Sequence, residues 1–144
     1  WKFLFFKQGP VLTLNNPSDQ IKRGQYLVEG PGHCGECHTP RNLLGGPKFG
    51  QWLAGAVNPE GEGVIQNITT GEGGIADWSE SQLASMLKDG FTPEFDSVGG
   101  SMTAVVANWS HVSDEDRAAV AAYLKAVPAH ANGYPVLTKP AANQ

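Results

Sequence analysis

The sequence predicts an all-α fold of short helices and long loops wrapped around one covalently bound group. Three observations predict it. Apolar residues recur at helical spacing in three stretches, near 18–29, 79–90 and 113–128. Between them lie 18 Gly and 10 Pro in 144 residues, so no element can be long. Both cysteines of the chain fall in Cys34-Gly35-Glu36-Cys37-His38, a Cys-x-x-Cys-His run that reads as a c-type haem attachment site.

Taken in order, residues 1–17 read as an extended lead-in, broken by Pro10 and by Asn15-Asn16-Pro17. A first helix starts near Ser18 and runs to Glu29, with Ile21, Tyr26, Leu27 and Val28 apolar; Gly30-Pro31-Gly32 ends it. The cysteine motif follows at once. Residues 42–77 are rich in glycine and poor in helical periods. They read as a long wrapping loop with one short strand pair around Val64 to Ile68. So long a loop is unusual in a compact domain, but it has a porphyrin to pack on. Ser79 and Gln82 fit a capping box, Leu83, Met86 and Leu87 share a face, and Gly90 is a stop. A loop runs from Phe91 to Ser101. The last helix starts near Ser113, with Asp114, Glu115 and Asp116 in its first turn. Val120, Tyr123, Leu124 and Val127 form its stripe, and Pro128 marks its end. Residues 18–128 thus form one haem domain, and 129–144 a polar tail that straps the surface. No internal repeat is visible.

The motif's spacing has a chemical reason. Thiols three residues apart lie on one side of a helical turn, where each can bond one vinyl group of a haem. His38, one turn from Cys34, can then place its imidazole under the iron. The rival readings are weaker. A thioredoxin-like pair needs a βαβ context, which is missing. Structural zinc needs four ligands, and neither His33 nor the widely spaced His111 and His130 completes a set. A disulfide across so short a loop would stabilise little.

Composition narrows the function. A net charge of −4 argues against nucleic-acid binding. No apolar run reaches ~18 residues, and Trp1 to Phe6 is too short to span a membrane. The chain does not begin with Met, so it is expected to be processed or cut from something longer. Bacterial haem attachment takes place outside the cytoplasmic membrane, so the expected location is the periplasm or the outer face of that membrane.

A six-coordinate iron needs a second ligand. Met102 follows Gly99-Gly100-Ser101 in what reads as a loop that can bend close to the porphyrin, 64 positions after His38. Met86 sits on the apolar face of a capped helix and reads as core. His111 would give a bis-His iron but looks solvated. His33 adjoins Cys34 and points away, and His130 reads as a surface residue. His/Met ligation raises the reduction potential relative to bis-His. With both axial positions filled no substrate reaches the iron, so the chain reads as an electron carrier rather than an enzyme.

The flanking residues carry a resemblance. Gly24-Gln25-Tyr26-Leu27-Val28-Glu29-Gly30 followed by His33-Cys34-Gly35-Glu36-Cys37-His38-Thr39-Pro40-Arg41-Asn42 resembles class I cytochrome c domains. More narrowly, it is similar to the domains in multihaem cytochrome c subunits of bacterial periplasmic dehydrogenases. Asn67-Ile68-Thr69, Gly74-Ile75, Trp78-Ser79, Met102 with Val105-Val106, and Ser113-Asp114-Glu115-Asp116 leading to Ala122-Tyr123-Leu124 extend it over about residues 20–128. The resemblance implies a cytochrome c-like fold in which the first and last helices cross. Gly24 would allow the approach, and Tyr26 and Leu27 would meet Tyr123 and Leu124. It also implies that Arg41 and Trp78 lie near the haem propionates, where a charged hydrogen bond from Arg41 is chemically reasonable. It implies redox partner proteins, a dehydrogenase donor and a cytochrome or oxidase acceptor, and a preceding haem domain joined through a segment like Trp1 to Phe6. Unlike mitochondrial-type carriers, the chain lacks a lysine-rich surface.

The expectation is therefore one covalent haem c, tethered by Cys34 and Cys37, bound by His38 and Met102, and carrying one electron between a periplasmic dehydrogenase and a respiratory acceptor. Two other classes stay open. One is a haem enzyme or gas sensor with an open distal site. The other is a zinc-binding interaction module.

Overall fold

The computed structural model describes residues 2–135. Its elements in chain order are α1 (Lys2–Phe5), α2 (Asp19–Glu29), α3 (Gly35–His38), a 3-10 turn at Phe49–Gln51, β1 (Ala56–Val57), β2 (Val64–Ile65), α4 (Glu80–Asp89), α5 (Met102–Trp109) and α6 (Asp114–Ala126). The three long helices begin where the sequence places caps. Ser18, Ser79 and Ser113 accept hydrogen bonds from the backbone N–H of Ile21, Gln82 and Asp116, satisfying donors that the first turn leaves free. Gln82 reaches back to the Ser79 N–H at 2.8 Å, completing the capping box. Gly90 ends α4 with φ 80°, a left-handed conformation that suits glycine.

Helix α2 crosses α6, and α4 packs on both α6 and α5. The α2–α6 crossing is close because Gly24 has no side chain: a Cβ there would stand 1.9 Å from the Ala119 carbonyl oxygen. Val28, Leu53, Leu83, Val120 and Tyr123 form the fully buried centre. Leu27 is buried with them, but Tyr26 is 59 % exposed and lies beside the Arg23 guanidinium instead. The expectation that Tyr26 enters the crossing is thus corrected. The helical stripe directs Leu27 and Val28 inward and turns their neighbour Tyr26 outward.

Two helices were not expected. Residues 2–5 of the lead-in form α1, which buries none of its own residues. Helix α5 occupies 102–109, where no helix was foreseen. Ser101 caps it without a side-chain bond, and Val105 and Val106 have modest helix propensity. Burial of Val106 and Trp109 in the core supplies what local signals do not. Met102 accordingly opens a helix rather than lying in a loop.

The 42–77 stretch holds the expected strand pair, antiparallel with Ala56 opposite Ile65 and Val57 opposite Val64. It ends at Ile65, and the Ile68 N–H turns to the Leu53 carbonyl at 3.0 Å. Residues 130–133 strap across this loop. Asn67 Nδ2 donates to the His130 carbonyl at 2.9 Å, the His130 N–H to Thr69 Oγ1 at 3.1 Å, and the Gly133 N–H to the Ala54 carbonyl at 2.8 Å. The remainder of the tail, 136–144, lies outside the described residues. No helix among the described residues is long and apolar enough to cross a membrane.

Candidate haem-attachment site

Cys34, Cys37 and His38 share one turn. The His38 N–H donates to the Cys34 carbonyl at 2.9 Å, closing α3. Both cysteines are free thiols, Cys34 half-buried and Cys37 exposed. Burial pushes the Cys34 thiol up to about 11.

The turn is held from behind. A Cβ on Gly35 would stand 2.0 Å from Trp52 Cη2, so the α3 backbone lies directly on the indole. The indole N–H of Trp52 donates to the Tyr123 hydroxyl at 3.2 Å. Tyr123 donates in turn to Glu29 Oε1 at 2.6 Å. Glu29 also accepts from the N–H groups of Val11 and Leu12 and from Gln25 Nε2. Burial, then the Glu29 carboxylate, holds the Tyr123 phenol far above its ordinary value. After the motif, the Gly55 N–H donates to the His38 carbonyl at 2.7 Å, and the Leu53 N–H to Thr39 Oγ1 at 3.0 Å.

His38 Nδ1 lies 2.8 Å from the Gln66 carbonyl oxygen. A carbonyl only accepts, so Nδ1 carries the proton and Nε2 keeps its lone pair. Burial lowers the ring's proton affinity and favours this neutral form. A hydrogen bond on one ring nitrogen that leaves the other free is the usual arrangement of a ligating histidine.

Met102 stands on a separate element. It is half-buried and packs against the core, as do Cys34, Ile68, Trp78, Met86 and Val112. The far end of its helix approaches the attachment turn. A Cβ on Gly32 would be 3.1 Å from Trp109 Cζ2 and 3.5 Å from Cys34 Sγ. Seven residues of helical rise set Met102 about 10 Å along the axis from Trp109. His33 and His111 are exposed, and His33 has a positive φ of 34°. His130 is half-buried, with its backbone anchored by Asn67 and Thr69.

Arg41 Nη2 pairs with Glu36 Oε2 at 2.5 Å, and Nη1 donates to the Gly45 carbonyl at 2.8 Å. Trp78 is half-buried, and its carbonyl accepts from Lys125 Nζ at 2.9 Å. Among the described residues its indole N–H has no acceptor.

These residues fit a covalently bound haem. Two reduced thiols and a neutral imidazole with a free Nε2 leave a single turn, and Cys34 packs on the same core as half-buried Ile68, Met86 and Met102. Among the described residues no three His, Cys, Asp or Glu side chains cluster for a metal, so the zinc reading lacks its ligand set. Among the described residues the one strand pair is antiparallel, and there the thioredoxin-like reading lacks its βαβ frame. Trp52, Glu29, Gln66 and the Tyr123 hydroxyl support the site yet carry no signal in one sequence, because each acts through a contact between distant segments.

Comparison with known proteins agrees. Residues 21–128 match the family model described as "Cytochrome c". The chain is 59 % identical over 130 residues to a protein of Cereibacter sphaeroides named "Diheme cytochrome c-type", a match covering 90 % of this chain and 42 % of that one. It is 38 % identical over 133 residues to the "Fructose dehydrogenase cytochrome subunit" of Gluconobacter japonicus, covering 91 % and 27 %. It is 34 % identical over 150 residues to the "Gluconate 2-dehydrogenase cytochrome c subunit" of Pantoea cypripedii, covering 96 % and 33 %. The chain spans less than half the length of each of these relatives. A thiol pair and histidine on one turn, a crossing of α2 and α6 through Gly24, and a family match over three quarters of the residues lead to one conclusion: this chain belongs to the cytochrome c family of haem-binding electron-transfer proteins.

Proposed function

We propose that this chain is a His/Met-ligated haem domain that carries one electron between a periplasmic dehydrogenase and a respiratory acceptor, as one haem unit of a longer multihaem protein. When bound, the haem supplies a one-electron iron couple. Cys34 and Cys37 tether it as thioethers. His38 offers Nε2 on the proximal side, and Met102 offers its sulfur on the distal side. Arg41 and Trp78 would lie near the propionates, where Arg41 could give a charged hydrogen bond. With two cysteines in all, the chain holds one doubly tethered haem.

The observation that carries this reading is the His38 Nδ1 contact with the Gln66 carbonyl at 2.8 Å, which orients the free nitrogen of a residue already on the cysteine turn. The multihaem context is supported by the "Diheme" relative, more than half of which lies outside the match. The dehydrogenase donor is supported by the relatives named as dehydrogenase cytochrome subunits, and the periplasmic setting by the attachment motif, since bacterial haem attachment takes place outside the cytoplasmic membrane.

The test uses protein matured by an export route. Intact mass must exceed the bare polypeptide by one haem, and the oxidised protein must show the near-infrared sulfur-to-iron band. Met102→Ala loses that band and gains carbon monoxide binding, while Met86→Ala keeps the band. Carbon monoxide binding by the unaltered protein would instead favour an open-site enzyme or sensor. A band that survives Met102→Ala would remove Met102 from the iron.

A further inference from the structure

His38 takes its orientation from the Gln66 carbonyl oxygen, 2.8 Å from Nδ1. Gln66 is exposed, and the strand before it ends at Ile65, so no ladder fixes this carbonyl. The next residue does. Asn67 is 1 % exposed, and it shares with Gln66 the planar peptide group that aims the carbonyl. Asn67 Oδ1 accepts from the Thr69 N–H at 2.9 Å and from Thr69 Oγ1 at 2.8 Å. Its Nδ2 donates to the His130 carbonyl at 2.9 Å and to Asn132 Oδ1 at 3.1 Å. One end of the amide holds its own turn, and the other holds the strap.

The strap then closes on the remaining neighbours of His38. The Tyr134 hydroxyl lies 3.4 Å from Gln66 Oε1. The Tyr134 ring lies on Gly55, where a Cβ would stand 2.5 Å from Cε1, and the Gly55 N–H donates to the His38 carbonyl at 2.7 Å. Gly133 donates to the Ala54 carbonyl at 2.8 Å and rests on Pro40, with 2.8 Å from an added Cβ to Cγ. Residues 130–134 thus gather three chain segments around His38. They lie past the family match, which ends at residue 128.

We propose that residues 130–134 form a proximal lock, and that Asn67 is the positioning residue through which the lock aims the Gln66 carbonyl at His38 and lowers the reduction potential. The proposal rests on His38 being the iron ligand. The link is electronic. A hydrogen bond from Nδ1 to a fixed carbonyl makes Nε2 a stronger donor. A stronger axial donor favours the ferric state, so release of the lock raises the potential. Exposure alone acts in the opposite direction. Water beside the site favours the more highly charged ferric state and lowers the potential. The sign separates positioning from loosening.

The experiment compares Asn67→Ala and Gly71→Ala with the unaltered haem-loaded protein. The first removes the anchor. The second keeps Asn67 and displaces the strap, because a Cβ on Gly71 would stand 1.8 Å from the His130 carbonyl oxygen; it carries the test if Asn67→Ala does not fold. Redox titration reads the potential, and nuclear magnetic resonance reads proton exchange at the Gly133 amide and at His38 Nδ1. In both variants the two protons should exchange at least tenfold faster. The ferrous-to-ferric ratio at a fixed applied potential should rise about threefold, a shift of about 28 mV at 59 mV per tenfold. A potential that stays or falls while the Gly133 amide is released overturns the lock. So does a rise without faster exchange at His38, and so does unchanged Gly133 exchange in both variants. The ligand reading fails differently: a His38 Nδ1 proton with no paramagnetic shift in the oxidised protein removes His38 from the iron, whatever the strap does.

Discussion

Gly35 lies flat on the indole of Trp52, with room for no Cβ between them: the added atom would stand 2.0 Å from Cη2. The indole cannot retreat, because Trp52 is buried and its N–H is held by Tyr123. Gly35→Ala should therefore destabilise the haem-loaded protein by ~1–3 kcal/mol through overpacking. Denaturant titration of the Soret band measures it. A midpoint equal to that of the unaltered protein would show that the turn does not rest on Trp52 in solution.

The α2–α6 crossing makes a stronger demand. At Gly24 the obstructing atom is backbone, the Ala119 carbonyl oxygen at 1.9 Å, with Tyr123 Cβ at 2.8 Å. Gly24→Ala must separate the two helices. It should cost about 3 kcal/mol or more, at or beyond the upper end of overpacking effects. Thermal unfolding checks this, and the loss should exceed that of Gly35→Ala, whose neighbour is a side chain.

Arg117 is buried and gathers the carbonyls of Trp109, Ser110 and Val112, with Nη2 on Asp114. It satisfies the C-terminal end of α5, the helix that Met102 opens. Arg117→Met keeps much of the side-chain volume but leaves these acceptors unmet, at a cost of about 2–3 kcal/mol. The near-infrared sulfur-to-iron band should weaken before global unfolding sets in, as α5 loosens. If the band and the unfolding transition disappear together, α5 has no separate stability and the link to Met102 fails.

Arg23 pairs with Asp116 through two hydrogen bonds, 2.8 and 2.9 Å, joining α2 to α6. The hydrogen bond from Arg23 holds the Asp116 carboxyl below its usual 3.8. A carboxylate with a lowered folded value adds stability that is full above 3.8 and fades as pH falls through the folded value. The melting-temperature gap between the unaltered protein and Asp116→Asn should therefore be widest well above 3.8 and close as the pH falls below it. Added salt should narrow it at neutral pH, since Arg23 is half exposed. A gap independent of pH would assign the loss to packing rather than charge.

The legible helices were those with side-chain caps. Ser18, Ser79 with Gln82, and Ser113 announce α2, α4 and α6, because a cap is a contact between residues three apart. Helix α5 has no such contact, and its β-branched Val105-Val106 pair argues weakly against it. Only burial of Val106 and Trp109 makes it a helix. Helix α1 is stranger still to local rules, since four residues with no buried member cannot hold a helix alone; Phe5 on Gly46 is what anchors it. The same limit explains Tyr26, which the resemblance places in the helix crossing and the structure places beside Arg23.

Chemistry that is local in the chain could be read from the chain. Cysteines three apart with histidine next, a proline soon after, and serine-capped apolar stripes each depend on neighbours within one turn. What holds that turn in place could not be read. Gln66 on His38, Trp52 under Gly35, Glu29 on Tyr123 and Arg117 over the end of α5 each join residues brought together only by folding. One sequence records the side chains but not their meeting, because a contact across dozens of residues is decided by the packing of the whole core.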